Sequence, residues 1–212
     1  THVAFCPARP HHLVATAGPR CVAYDSRTRR VRRTFTRFSD VAYGAAWRGD
    51  GKVLAAGGEA GLVQLLDPES RTVLRALKGH AKACRRVAYG GAAARLHLAS
   101  ASDDASVRYW DAGEAKAVCT LLGHSDYVRA LSGRPGDPHC FLSGGYDHTA
   151  RLWDVRAGRE AMALDHGAPV EDAVVFPGGA VCATAGGTAV CVWDLLAGGR
   201  LLARLEHHQK TV

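Results

Sequence analysis

The chain has 212 residues, of which 47% are hydrophobic and 22% charged, with 24 glycines and 8 prolines spread over turn-like positions. This composition is typical of a folded globular protein and excludes a disordered or low-complexity chain. The formal net charge of +7 favours acidic partners such as RNA, DNA or acidic proteins, although a solvated basic surface gives the same value.

The chemistry that the sequence lacks limits the function further. The seven cysteines are odd in number, form no Cys-x-x-Cys pair and mostly lie in apolar runs, so we expect a reducing compartment, no disulfide framework and no metal site. The uncharged stretch 174–193 holds a proline and two Gly-Gly pairs, which favour buried strands over a membrane helix. No phosphate-binding loop or dinucleotide fingerprint occurs, so no cofactor and no small-molecule substrate are expected.

A Trp-Asp pair recurs at 110–111, 153–154 and 193–194, and two weaker copies, Tyr-Asp at 24–25 and Leu-Asp at 66–67, precede it. The aspartates are 42, 44, 43 and 40 residues apart. A Gly-His or Asp-His marker at 79–80, 123–124 and 165–166 precedes each strong copy by 27 to 30 residues. This period with its paired markers is the signature of WD repeats, which fold as β-propellers.

Each repeat is expected to supply four short strands. In the fourth copy the strands are predicted at 127–131, 140–144, 149–153 and 160–164, with turn residues between them. We therefore predict an all-β WD-repeat β-propeller of about five four-stranded blades, at roughly 1–37, 38–79, 80–123, 124–165 and 166–206. Residues 207–212 lead towards a sixth blade, which favours part of a larger ring in a longer chain over a closed five-bladed ring.

In WD repeats a His, a Ser or Thr, a hairpin Asp and the Trp usually form a hydrogen-bonded chain. Two such sets match here, namely His80, Ser100, Asp104 and Trp110, and His124, Ser143, Asp147 and Trp153. The same residue types make a Ser-His-Asp catalytic triad, but the set occurs twice and no serine lies on a GxSxG elbow, so we interpret both as structural. Phe38, Ala60 and Gly187 stand where other copies would have the His or the Asp.

Several stretches resemble the U3 small nucleolar RNA-associated WD-repeat proteins of the UtpA (t-Utp) part of the small-subunit processome. They are TFTRFSDVAYGAAWRGDGKVLAAGG at 34–58, GHSDYVRAL at 123–131, GGYDHTARLWDVRAG at 144–158, HGAPVEDAVVFPGG at 166–179, AGGTAVCVWDLLAGG from 185 and EHHQKTV from 206. The resemblance implies a seven-bladed propeller, a further helical domain, and a non-catalytic nucleolar scaffold. Its partners would be sister UtpA subunits, other processome proteins and pre-rRNA or U3 snoRNA, in 18S pre-rRNA processing and rDNA transcription.

Two basic sets are candidates for contacts with RNA or an acidic partner. The first comprises Arg27, Arg29, Arg30, Arg32, Arg33 and Arg37, and the second comprises Lys78, Lys82, Arg85 and Arg86. Arginines on a loop and an edge strand can contact phosphates without reading sequence. The alternative for the first set is an edge strand that its charges protect from aggregation.

Two other functions fit the same fold. Trp153 to Arg156 match the WDxR box through which some WD proteins bind cullin-type ubiquitin ligases, which would make the protein a substrate receptor. Arg156 could equally cap a turn. The third function is a generic WD protein-interaction platform in another complex.

Overall fold

The computed structural model describes residues 2–36, 38–91 and 96–211, which form twenty β-strands and no helix. Blade 1 contains β1 (His2–Phe5), β2 (Leu13–Ala17), β3 (Arg20–Tyr24) and β4 (Val31–Phe35). Blade 2 contains β5 (Ala42–Trp47), β6 (Leu54–Gly58), β7 (Val63–Leu66) and β8 (Val73–Leu77). Blade 3 contains β9 (Cys84–Tyr89), β10 (His97–Ser102), β11 (Ser106–Asp111) and β12 (Lys116–Leu122). Blade 4 contains β13 (Val128–Gly133), β14 (Cys140–Gly145), β15 (Thr149–Asp154) and β16 (Arg159–Asp165). Blade 5 contains β17 (Val170–Val175), β18 (Val181–Gly186), β19 (Ala189–Asp194) and β20 (Arg200–Leu205).

Each blade is an antiparallel sheet whose four strands pair in chain order. The first strands of successive blades pack against one another, β1 on β5, β5 on β9, β9 on β13 and β13 on β17, so they form the innermost layer. The uncharged stretch 174–193 runs from the end of β17 into β19. Among the described residues, none belongs to a helix long and apolar enough to cross a bilayer. The predicted all-β WD-repeat propeller is confirmed.

The aspartate of every Trp-Asp copy organises the turn after the third strand. Asp25, Asp67, Asp111, Asp154 and Asp194 each accept backbone N–H groups from the residues two and three positions later. A short carboxylate that bonds its own backbone in this way stabilises a turn. This role explains why the aspartate is present in all five copies while the tryptophan is replaced in the first two.

Burial distinguishes the inner blades from the terminal ones. Every residue of β6, β7 and β14 is buried, since blades on both sides cover these strands. Buried and partly exposed residues alternate along β18 and β19 of blade 5, a pattern typical of a sheet that is covered on one face only. Blade 1 exposes Val3 and Phe5 on β1, and blade 5 exposes Val174 on β17. The five blades therefore form an open arc with an apolar face at each end.

The cysteines pack as small hydrophobic side chains. All seven are free thiols, and all except Cys119 are buried. Burial raises the pKa of Cys21 to about 12 and that of Cys182 to about 12. Thiols with such pKa values are poor nucleophiles, which makes these two structural.

Candidate functional site

Blade 3 contains a buried hydrogen-bonded chain from an aspartate to a tryptophan. His80 Nδ1 lies 2.9 Å from Asp104 Oδ2, and His80 Nε2 lies 2.7 Å from Ser100 Oγ. Trp110 Nε1 donates to the same Ser100 oxygen at 2.7 Å. Because a carboxylate can only accept, His80 Nδ1 donates to Asp104, and Nε2 of the neutral ring then accepts from the Ser100 hydroxyl, whose oxygen accepts the indole N–H. Although burial opposes ionisation, hydrogen bonds from His80 and Ser106 hold the pKa of Asp104 well below its usual range.

Blade 4 repeats this arrangement. His124 Nδ1 lies 2.9 Å from Asp147 Oδ2, His124 Nε2 lies 2.7 Å from Ser143 Oγ, and Trp153 Nε1 donates to Ser143 Oγ at 2.8 Å. Burial lowers the pKa of His124, while Asp147 opposes that shift. Burial raises the pKa of Asp147, but the His124 and Thr149 contacts outweigh it and leave this pKa below its usual value. The structure thus brings together all four residues of each predicted set.

The geometry of these sets is unsuited to nucleophilic catalysis. Ser100 and Ser143 are 0% exposed, and each hydroxyl is bonded to both a tryptophan and a histidine. A catalytic serine must reach a substrate carbonyl with a free hydroxyl. In the described residues, no three His, Cys, Asp or Glu side chains are grouped to hold a metal ion.

Blade 5 has the same hydrogen-bonded chain but without an aspartate. His166 Nδ1 lies 2.9 Å from Thr184 Oγ1, which also accepts the indole N–H of Trp193 at 2.9 Å. His166 Nε2 lies 3.1 Å from the Gly186 carbonyl oxygen. The ring therefore uses its nitrogens in the opposite order from His80, and a backbone acceptor replaces the missing carboxylate. In blade 2, Phe38 is buried in the apolar cluster between blades 1 and 2.

The first basic set lies in the turn between β3 and β4 and along β4. Arg27, Arg29 and Arg30 are exposed in this turn, and none of them forms an ion pair with a described residue. Arg32 forms an ion pair with Glu69 of the neighbouring blade. Arg33 donates to the Arg32 carbonyl at 2.9 Å. The sixth member, Arg37, lies outside the described residues.

The second basic set does not form one patch. Lys78 and Lys82 are exposed. Arg85 forms an ion pair with Asp103 at 2.6 Å and lies 3.9 Å from the Tyr43 ring centre. Arg86 lines the central cavity of about 640 Å³ and lies 3.8 Å from Asp172 of blade 5. Only the two lysines are therefore free of carboxylates within the described part of the chain.

A network that the sequence did not indicate links the inner strands of blades 3, 4 and 5. Asp103 pairs with Arg85 of its own blade and with Arg129 of blade 4 at 2.9 Å. The Arg129 guanidinium lies 4.9 Å from the Tyr146 ring centre, and Tyr146 donates to Glu171 of blade 5. Asp103 and Tyr146 precede the hairpin aspartates of their repeats, and this shared position is the one signal that could have identified them.

The WDxR box is used within the chain. The Arg156 backbone N–H donates to Asp154 at 2.9 Å, and its guanidinium lies 3.0 Å from Asp137. These contacts are those of a turn cap, the simpler interpretation of this arginine.

Comparisons with known proteins agree with this architecture. The family model described as WD domain, G-beta repeat matches residues 71–111 and 115–154. A U3 small nucleolar RNA-associated protein 15 homolog of Xenopus tropicalis is 39% identical over all 212 residues. The chain is a WD-repeat homologue of U3 small nucleolar RNA-associated protein 15. The resemblance predicted from the sequence is thereby confirmed.

The similarity extends to plants and fungi. Protein SLOW WALKER 1 of Arabidopsis thaliana is 39% identical over 99% of the chain, and the U3 small nucleolar RNA-associated protein 15 of Saccharomyces cerevisiae is 36% identical over 96% of it. The chain spans 41% of the length of the Xenopus protein and 40% of the length of each of the other two.

Proposed function

We propose that the chain is a non-catalytic scaffold in ribosome biogenesis, within the nucleolar particle that contains U3 small nucleolar RNA. One observation carries this proposal: relatives named for association with that RNA match essentially the whole chain at 36–41% identity, in animals and fungi. The serines of blades 3 and 4 are fully buried, which supports a structural role for the two hydrogen-bonded sets.

The proposed partners are sister UtpA subunits, other processome proteins and pre-rRNA or U3 snoRNA, and the proposed activity is support of 18S pre-rRNA processing and rDNA transcription. A propeller presents several faces and rims, so it can hold several partners at once.

Affinity purification followed by mass spectrometry tests this function. The tagged protein should recover UtpA subunits, and its depletion should cause precursors of 18S rRNA to accumulate. The discriminating variant is Arg156→Ala, which alters the WDxR box on an exposed turn. Recovery of a cullin-ligase adaptor that this variant abolishes, without processome subunits, would replace the scaffold with the substrate receptor.

We also propose that the five blades belong to a seven-bladed ring whose other blades cover the apolar end faces. Phe5 is 68% exposed and Val174 49% exposed on these faces, and exposed apolar surfaces of this kind usually mark interfaces. In the longer protein, Phe5→Glu or Val174→Glu should lower the Tm, because the new carboxylate would be buried. Val118→Glu, on the exposed outer strand of blade 3, is the control. Equal Tm values for all three variants would contradict closure of the ring at these faces.

A further inference from the structure

The outer groove between blades 2 and 3, hereafter the 2/3 groove, contains two arginines, and an exposed lysine lies next to it in the chain. Arg75 on β8 pairs with Leu65, which packs in the cluster between blades 2 and 3. Residues directly opposite on neighbouring strands share a face, so Arg75 is on the side of blade 3. The Arg108 guanidinium of β11 lies against Gly79, 2.9 Å from where a Cβ would stand. Lys78 is exposed and directly precedes that glycine.

No acidic side chain of the described residues neutralises this groove. The Arg108 Nε atom is buried without a hydrogen-bond partner. The Arg75 guanidinium donates to a backbone carbonyl, that of Leu74, at 2.8 Å. Thr120 pairs directly with Arg108 across the strands and therefore adds a hydroxyl to the same face. Arginine, lysine and hydroxyl groups are the usual ligands of oxyanions.

The next groove, between blades 3 and 4, shows what a neutralised site looks like. Arg151 occupies the place of Arg108, 3.0 Å from the Cβ position of Gly123, but it forms an ion pair with Glu160. Glu160 pairs with Trp153 across the strands, whereas the residue that pairs with Trp110 in blade 3 is Ala117. The 2/3 groove therefore lacks the carboxylate that the same fold accommodates one repeat later.

The remaining positions differ in the same direction. The residue before the glycine is Lys78 in the 2/3 groove and Leu122 in the next one. The residue opposite the arginine is Thr120 in the first groove and Ala163 in the second. Two of the three matched differences, Ala117 for Glu160 and Lys78 for Leu122, make the region of the 2/3 groove more positive than the next groove, and Thr120 adds a hydroxyl group.

We propose that the 2/3 groove binds the phosphodiester backbone of RNA. This proposal rests on the proposed function and gives the scaffold a direct contact with RNA. Arg75 and Lys78 are three residues apart, about 10 Å along an extended chain, so their long side chains can reach separate anionic groups. A polyanion with repeated phosphates fits this spacing better than a single carboxylate. Contacts of this type position RNA without reading its sequence.

Fluorescence anisotropy with a labelled single-stranded RNA 20-mer, titrated with the full chain between 50 and 200 mM salt, tests the groove. Ala117→Glu places in blade 3 the carboxylate that blade 4 has, and it should pair with Arg108 without loss of Tm. We expect this variant to weaken RNA binding about tenfold and to lower the slope of log K against log salt by about 0.7 to 1. Lys78→Gln should lower the slope by a similar amount.

Ala163→Glu is the control, since it makes the same change of net charge on the outer strand of the next groove, at the position that corresponds to Thr120. It should leave the affinity and the salt slope close to wild type. Equal effects of the two glutamate variants on RNA affinity, or a wild-type protein that binds no RNA, would overturn the RNA-binding role of the groove. Binding of polyglutamate that Ala117→Glu abolishes, without binding of RNA, would assign the groove to an acidic protein segment instead. If Ala117→Glu leaves direct RNA binding unchanged and this variant still recovers U3 RNA, the RNA-binding role of the groove is rejected and the proposed function is retained.

Discussion

Asp147→Ala perturbs the hydrogen-bonded chain of blade 4 most directly. The Asp147 carboxylate accepts bonds from His124 Nδ1 at 2.9 Å, from the Thr149 hydroxyl at 2.9 Å and from the Ser125 N–H at 3.2 Å. The Asp147 side chain is 4% exposed and that of His124 is 1% exposed. Alanine removes every one of these acceptors and leaves the imidazole N–H buried with no partner.

The expected loss of stability follows from this burial. A hydrogen bond to a charged group contributes about 1.5–3 kcal/mol, and an unsatisfied buried donor costs about 1–3 kcal/mol. Ser125 and Thr149 lie near the surface and can bond to water in the variant, so the loss comes mainly from His124, and we expect the upper end of these ranges, about 3 kcal/mol. At about 2–4 °C per kcal/mol for a chain of this size, the Tm falls by about 6–12 °C.

Calorimetry and urea unfolding measure this loss, with two further variants as references. Asp147→Asn keeps an oxygen that can accept a hydrogen bond from His124, and it should lose less than half as much stability as Asp147→Ala. Ala60→Ser alters the corresponding hairpin position of blade 2, where Ala60 is exposed, and should change stability by no more than about 0.5 kcal/mol. A Tm for Asp147→Ala equal to that for Ala60→Ser would refute the stabilising role of this hydrogen-bonded chain.

Three further predictions concern the basic turn, the response to pH and the blade packing. Charge reversal of the exposed pair Arg27→Glu and Arg30→Glu should weaken RNA crosslinking with normal folding, and unchanged crosslinking would remove this turn from the RNA contacts. Burial and the nearby Arg86 lower the pKa of His2 from 6.5 to about 4. As the pH drops from 6.5 towards 4, the unfolded chain therefore binds this proton before the folded chain does, and the stability of the fold decreases. His2→Asn should flatten the dependence of Tm on pH in that window, and an unaltered dependence would contradict this account. Gly186→Ala should cost about 1–3 kcal/mol in urea unfolding, because its Cβ would lie 2.1 Å from the Pro169 carbonyl oxygen, whereas Gly178→Ala has nothing within 4 Å and should be neutral.

The repeat period was sufficient to predict the strands. Cys140–Gly145 and Thr149–Asp154 lie within one residue of the positions expected from turn residues alone. The reason is physical, since the aspartate at the end of each third strand bonds its own turn and fixes where that strand stops. A local device of this kind is visible in the sequence because its partners are two and three residues away.

The side-chain network between blades was not predictable in the same way. Asp103 joins arginines from two different blades, and no periodicity places Arg129 next to it. Arg85 and Arg86 are adjacent in the chain, yet one pairs at the rim and the other lines the central cavity. Consecutive residues of a strand point to opposite sides, so charge clustered in sequence was divided between two places in the fold.

Co-precipitation of U3 small nucleolar RNA with the tagged protein from cell extract tests the central claim most directly. Quantified against an unrelated small nucleolar RNA, U3 should be enriched at least about tenfold. The destabilised Asp147→Ala variant should recover less U3 RNA, in proportion to its lower folded fraction. Equal recovery of both RNAs with well-folded wild-type protein would contradict a scaffold role in the U3 particle.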